Sequence, residues 1–175
     1  MHRHPRALVA LIAPLTLLPL ALAGCPEGGP ETYVFAPGPY IMELGEVESG
    51  DCEFESVAFN AASAEVELRE ADDGFVWEYP AGDLYCAMSG DTFTCDTIEF
   101  FTTDLDDRGK DASVTTSFSQ EGVWTAEDSQ EGTFTYLFSC VGEDCDQGGL
   151  EGTNYGDTAQ FPCTLSGPYL ADKVD

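Results

Sequence analysis

The sequence is short of histidine and of positive charge. Its two histidines are His2 and His4, and none follows them. The body of the chain therefore has no Ser-His-Asp or Cys-His machinery and no imidazole ligand for zinc. Basic residues number six against 33 acidic ones, and two of the six, Arg3 and Arg6, lie beside those histidines. Only Arg69, Arg108, Lys110 and Lys173 remain beyond them. Nucleic acid binding rests on basic side chains that displace counterions from phosphates, and adhesion to anionic lipid draws on the same charge. The sequence predicts neither. It also holds no P-loop, no dinucleotide fingerprint, no nucleophile elbow and no CxxC pair. No stretch repeats its apolar residues at the helical period. The acidic excess keeps an exported domain soluble, and a saline habitat that screens self-repulsion would favour the same bias.

What is present begins at the N-terminus. Met1 to Arg6 is short and basic, and Ala7 to Ala23 carries no charge. That order is a secretory signal peptide. The apolar run is broken by Pro14 and Pro19 and is at the short limit for a membrane span. It ends in Leu22-Ala23-Gly24-Cys25: an aliphatic residue, two small residues and a cysteine. In this position the tetrapeptide resembles the lipobox of bacterial lipoproteins. The resemblance covers residues 1–25. It implies cleavage before Cys25, a diacylglyceryl thioether on its sulfur, and a further acyl chain of the palmitate type on its amine. Two or three acyl chains anchor a protein stably, at ~0.8 kcal/mol per buried CH₂. Pro26 follows, without the aspartate that retains such proteins at the inner membrane, so the expected location is the outer membrane.

Lipidation also explains the cysteine count. The chain has seven cysteines; without Cys25 an even set remains, which in an exported protein reads as a disulfide framework. Two pairs follow from strand geometry. In CAMSGDTFTC a two-residue turn at Gly90-Asp91 sets Cys86 opposite Cys95, at a non-hydrogen-bonded position where the chains approach most closely. In CVGEDC a turn at Gly142-Glu143 does the same for Cys140 and Cys145. Cys52 and Cys163 then pair by elimination, tying the start of the domain to its end.

Pro26 to Tyr40 contains four prolines and three glycines and reads as a flexible tether. The expected organisation is thus a signal peptide over 1–24, a lipidated Cys25 and tether over 25–40, and one disulfide-rich β domain over 41–175. Within it the period is two. Val66 and Leu68, then Phe75, Trp77 and Tyr79, then Val114, Thr116 and Phe118, then Phe134, Tyr136, Phe138 and Cys140 each share a face. Ala159, Phe161, Cys163 and Leu165 share another, with Pro162 pointing to an edge or bulge. Ser119-Gln120-Glu121-Gly122 recurs as Ser129-Gln130-Glu131-Gly132, and each copy suits a three-residue hairpin loop with a left-handed glycine. The expected fold is all-β: an antiparallel meander forming a small barrel or a two-sheet sandwich, stapled by disulfides.

For chemistry the sequence offers little. Asp104, Asp106, Asp107 and Asp111 in DLDDRGKD supply hard oxygens of the kind calcium takes. Arg108 and Thr115 stand where an EF-hand would place acidic ligands. Trp77, Trp124 and Tyr136 could stack on sugars, although aromatics at period two more often fill a core. The function expected from the sequence is a lipid-anchored, non-enzymatic envelope β domain, without a cofactor, that binds an envelope protein, a glycan or a small molecule or plays a structural part. A calcium-stabilised adhesion or ligand-binding domain is the alternative, and a carboxylate-dependent hydrolase the more remote one.

Overall fold

The computed structural model of the chain describes residues 35–53, 62–146, 148–156 and 158–174. The signal peptide, Cys25 and the tether up to residue 34 lie outside the described residues. The strands are β1 (Gly38–Leu44), β2 (Ser49–Gly50), β3 (Ala62–Ala71), β4 (Gly74–Tyr79) and β5 (Gly82–Ser89), followed by β6 (Thr92–Cys95), β7 (Ile98–Asp104), β8 (Ser113–Ala126), β9 (Ser129–Val141) and β10 (Cys163–Lys173). Helical turns among the described residues are two 3₁₀ pieces, Asp106–Arg108 and Glu143–Cys145.

The sheet runs β1-β3-β4-β5-β6-β8-β9-β10, and β10 pairs back onto β1. Eight antiparallel strands therefore close into a barrel, which leaves no open edge along that circuit. Of the two architectures the sequence allows, the barrel is the one formed. β6 and β7 act as one bent strand, since both pair with β8: Thr94 faces Glu121 and Ile98 faces Phe118. β8 and β9 form the longest hairpin, from Ser113↔Val141 to Ala126↔Ser129.

The alternation read from the sequence is seen on β3, β4, β8 and β9, whereas Ala159 and Phe161 lie before β10 and not in it. Phe75 and Trp77 on β4, Val66 and Leu68 on β3, Phe118 on β8 and Phe134 on β9 all point inward into one core. Tyr40, Phe75 and Trp77 are fully buried, and their rings meet edge to face. This aromatic packing fills the barrel. Some polar groups inside are paired: the Tyr79 hydroxyl donates to Gln120 Oε1 (3.0 Å), Gln120 Nε2 donates to Met42 Sδ (3.1 Å), and the Tyr169 hydroxyl donates to Gln130 Oε1 (3.1 Å), whereas Trp77 Nε1, Thr116 Oγ1 and Gln130 Nε2 have no partner among the described residues. Burial pushes the Tyr79 and Tyr169 hydroxyls well above their ordinary pKa, because the phenolate would lose its water.

A second core continues the inner faces of β8, β9 and β10 past one end of the barrel. It gathers Leu105, Val114, Phe138, Leu150, Tyr155 and Cys163. The excursion between β9 and β10 supplies Leu150 and Tyr155 and so caps that end. The opposite end receives both the start and the end of the described chain: Ala36 N donates to Glu127 O (3.0 Å), and Lys173 N to Asp128 O (2.9 Å).

Three disulfides join Cys52–Cys163, Cys86–Cys95 and Cys140–Cys145. The register around Gly90 is the expected one, from Ser89↔Thr92 to Cys86↔Cys95, and Gly90 has the left-handed φ of +69°.

Four expectations are corrected. The domain starts earlier than residue 41, because Phe35 stacks on Trp124 at 5.5 Å and Tyr40 lies wholly inside. The repeated SQEG does not form loops. One copy lies within β8 and the other within β9, on either side of the turn at Glu127-Asp128, and Gly122 faces Gly132; neither glycine has positive φ. Cys140 and Cys145 are not partners across a hairpin, since Cys145 sits in a 3₁₀ turn. Pro162 precedes β10 instead of bending it.

Candidate functional site

The barrel interior is occupied by side chains, and a broad cavity lies outside it. A groove of about 1020 Å³ crosses the outer face of β6, β8, β9, β10, β1 and β3. Strand register builds it. One row of outward residues reads Thr92, Val123, Glu131, Leu170, Glu43 and Ser63, each opposite the next on the neighbouring strand. A second row, two residues along, reads Thr94, Glu121, Thr133 and Pro168. Gly45 extends it through a 2.8 Å bond from its N–H to Pro168 O.

Between the rows lie inward-facing positions, and two of them are the paired glycines. A Cβ on Gly132 would stand 2.0 Å from Glu121 O, and one on Gly122 would stand 2.4 Å from Glu131 O and 2.9 Å from the Phe93 ring. Glycine is required there because the two strands and the rings beneath come too close for any side chain. Such a pair permits a tight bend in a barrel wall.

The lining is mixed. Leu170 is 51% exposed, and Val123, Pro168 and Leu44 add apolar surface. Glu43, Glu121 and Glu131 are all exposed on it. The ion pairs among the described residues belong to Arg69, with Glu78 (2.8 Å) and Asp83 (3.0 Å), away from the groove. Among the described residues no cation pairs with the three groove carboxylates, which are exposed to solvent. Hydroxyls of Ser63, Thr92, Thr94 and Thr133 complete a surface that can accept and donate hydrogen bonds around an apolar strip.

The residues singled out by sequence fall elsewhere. Asp104, Asp106, Asp107 and Asp111 lie at the capped end. There, Asp104 Oδ1 accepts the Asp106 N–H (3.0 Å), and Asp111 is tied through its N–H to Asp144 Oδ2 (2.7 Å). No three His, Cys, Asp or Glu among the described residues are grouped as a metal ion would need. The four aspartates shape turns in this geometry and do not converge on one centre. Trp77 and Trp124 are buried in the core and offer no platform for a sugar. A smaller pocket of about 200 Å³ opens at the capped end between Phe101, Leu105, Phe138 and Tyr155, with Arg108 at its margin.

Sequence reading missed Glu43, Glu121, Glu131 and Leu170. The signal that could have found them is an apolar residue on the polar face. Leu170 stands between inward Tyr169 and Ala171, and Val123 stands between Gly122 and inward Trp124. No family model matches the chain, and neither a curated protein nor a solved structure matches it.

Proposed function

We propose that the chain is a lipid-anchored, non-enzymatic binding domain of the bacterial envelope, and that it binds with the outside of its barrel. One observation carries the reading: aromatic side chains fill the interior, while a cavity of about 1020 Å³ is open to solvent across six strands. A carrier of small apolar molecules keeps its cavity inside the barrel, and here that space is packed. The lipobox and the signal peptide before it support the anchor.

The fold suits such an arrangement. The described chain enters beside the β8–β9 turn, so an anchor at Cys25 would hold that end toward the membrane. The nine residues between Cys25 and Phe35 span at most ~30 Å when extended. The groove would then face sideways, within reach of other envelope components, and the capped end would point away.

Photo-crosslinking in intact cells tests this. A benzoylphenylalanine in place of Leu170 is expected to give a discrete adduct. The same residue in place of Val141, which is 77% exposed on the opposite end of β9, is expected to give none. Equal, diffuse labelling from both sites would contradict the assignment.

A further inference from the structure

The groove has a chemical and a spatial pattern that together describe a partner. The inference rests on the reading of the groove as the binding site. Glu131, Leu170 and Glu43 lie in one line across three adjacent strands, β9, β10 and β1. Adjacent strands are ~4.8 Å apart, so the two carboxylate-bearing positions are separated by ~9.6 Å with an apolar residue midway. A polyproline II helix rises ~3.1 Å per residue with three residues per turn, so side chains on one of its faces recur every ~9.3 Å. The two repeats coincide. In a β-strand, side chains on one face recur every ~6.8 Å, which does not match.

Charge selects the side chains. Glu43, Glu131 and Glu121 line the same groove, and no ion pair among the described residues satisfies them. An acidic or neutral ligand would meet three uncompensated carboxylates there. A basic one would place ammonium or guanidinium groups against them. A glycan is disfavoured because Trp77 and Trp124 are buried and cannot stack on it. An added β-strand is excluded at this place because each strand crossing the groove's centre is already paired on both sides.

We infer that the groove docks an extended, polyproline-II-like segment of a partner protein that carries lysine or arginine at every third position. The basic groups pair with Glu131 and Glu43, the intervening apolar face lies on Leu170, and Glu121 flanks the segment.

The test uses the full chain extracted in neutral detergent and fluorescent peptides as probes. The expected result is that (Lys-Pro-Leu)₄ binds saturably while (Glu-Pro-Leu)₄ does not. (Lys-Leu)₆, with a two-residue period, is expected to bind more weakly. Replacing both carboxylates in E43Q/E131Q is expected to weaken (Lys-Pro-Leu)₄ roughly tenfold, as two exposed ion pairs would. E99Q/E151Q removes the same charge from exposed positions outside the groove and is expected to leave binding within about twofold. All four glutamates are exposed, and a matching melting temperature shows that each variant is folded. Equal loss in the two double variants would overturn the inference, because it would show diffuse attraction to an acidic protein. Absence of peptide binding, with the Leu170 crosslink still formed, would also overturn it but would leave the groove as the binding site. Absence of both would remove the two readings together.

Discussion

Removing the Cys52–Cys163 bridge by C52A/C163A should destabilise the domain more than removing either of the other two. The bridge closes a separation of 111 residues, against 9 for Cys86–Cys95 and 5 for Cys140–Cys145. Loop-closure entropy then gives about 4.8 kcal/mol for the first, about 2.7 for the second and about 2.2 for the third. The local structure agrees with that order. Cys52 follows β2, which holds β10 only through Leu165↔Gly50 and Ser166↔Ser49. A few further bonds fasten this segment: Glu48 N–H to Ser166 O, Asp51 N–H to Thr164 O, the Asp51 carboxylate accepting the Thr164 N–H, and the Thr158 hydroxyl donating to Glu53 O. Cys86 and Cys95, by contrast, sit in a hairpin whose register four residue pairs already fix. Cys163 is 2% exposed in the second core, so the alanine adds a small packing loss to the entropic one. With typical domain stabilities of about 5–15 kcal/mol, the variant is expected near the edge of folding at room temperature. Urea unfolding followed by the fluorescence of buried Trp77 and Trp124 reads the effect, and a larger m-value should accompany it as the unfolded chain expands. A loss smaller than that of C86A/C95A would refute the reasoning.

Other outcomes follow from particular contacts. Gly132→Ala should destabilise by about 1–3 kcal/mol or more, because its Cβ has no space beside Glu121 O; a change under about 0.5 kcal/mol in urea unfolding would show that the wall can move. Alkaline pH should unfold the protein. Burial, with Asp128 and Glu127 nearby, raises Tyr40 to about 12, and burial raises Tyr79 and Tyr169 well above the ordinary tyrosine value. An unfolded chain binds fewer protons than the folded one between the ordinary tyrosine value and these raised values, so stability falls as pH rises through that window. Tyrosine ionisation that tracks unfolding in absorbance would agree, and ionisation at the ordinary pH with the fold intact would not. Asp51 is held below the ordinary carboxylate pKa, chiefly by the Thr164 N–H. Its contribution is present above the ordinary value and is lost as pH falls through the lowered one, so Asp51→Asn should flatten the acid limb of the stability profile.

Much of the fold was legible because side-chain alternation is local. Phe75-Val76-Trp77 or Phe134-Thr135-Tyr136 states its own buried face without reference to any other strand. The hairpin around Gly90 was legible for the same reason: counting outward from a two-residue turn fixes every partner up to Cys86 and Cys95. Misreadings arose where a local signal had a distant cause. Gly122 and Gly132 look like turn residues in SQEG, yet each is demanded by the other, ten residues away and across a strand pair. Prolines and glycines near Pro37 and Pro39 suggested a tether, but Phe35 and Tyr40 were aromatic anchors for the core. The groove could not be read at all. Its residues come from six strands, its carboxylates resemble the other acidic residues of an acidic chain, and only the register that brings Glu131, Leu170 and Glu43 into line gives them meaning.

The proposed role depends on the chain being held at a membrane by Cys25. Intact mass of the protein extracted from the membranes of an expressing bacterium, with thiols alkylated before and after reduction, tests that most directly. The expected species begins at Cys25, carries acyl chains, and shows no free thiol before reduction and six after it. An unmodified soluble species with a free seventh thiol would contradict the anchor and, with it, the placement of the groove at the envelope.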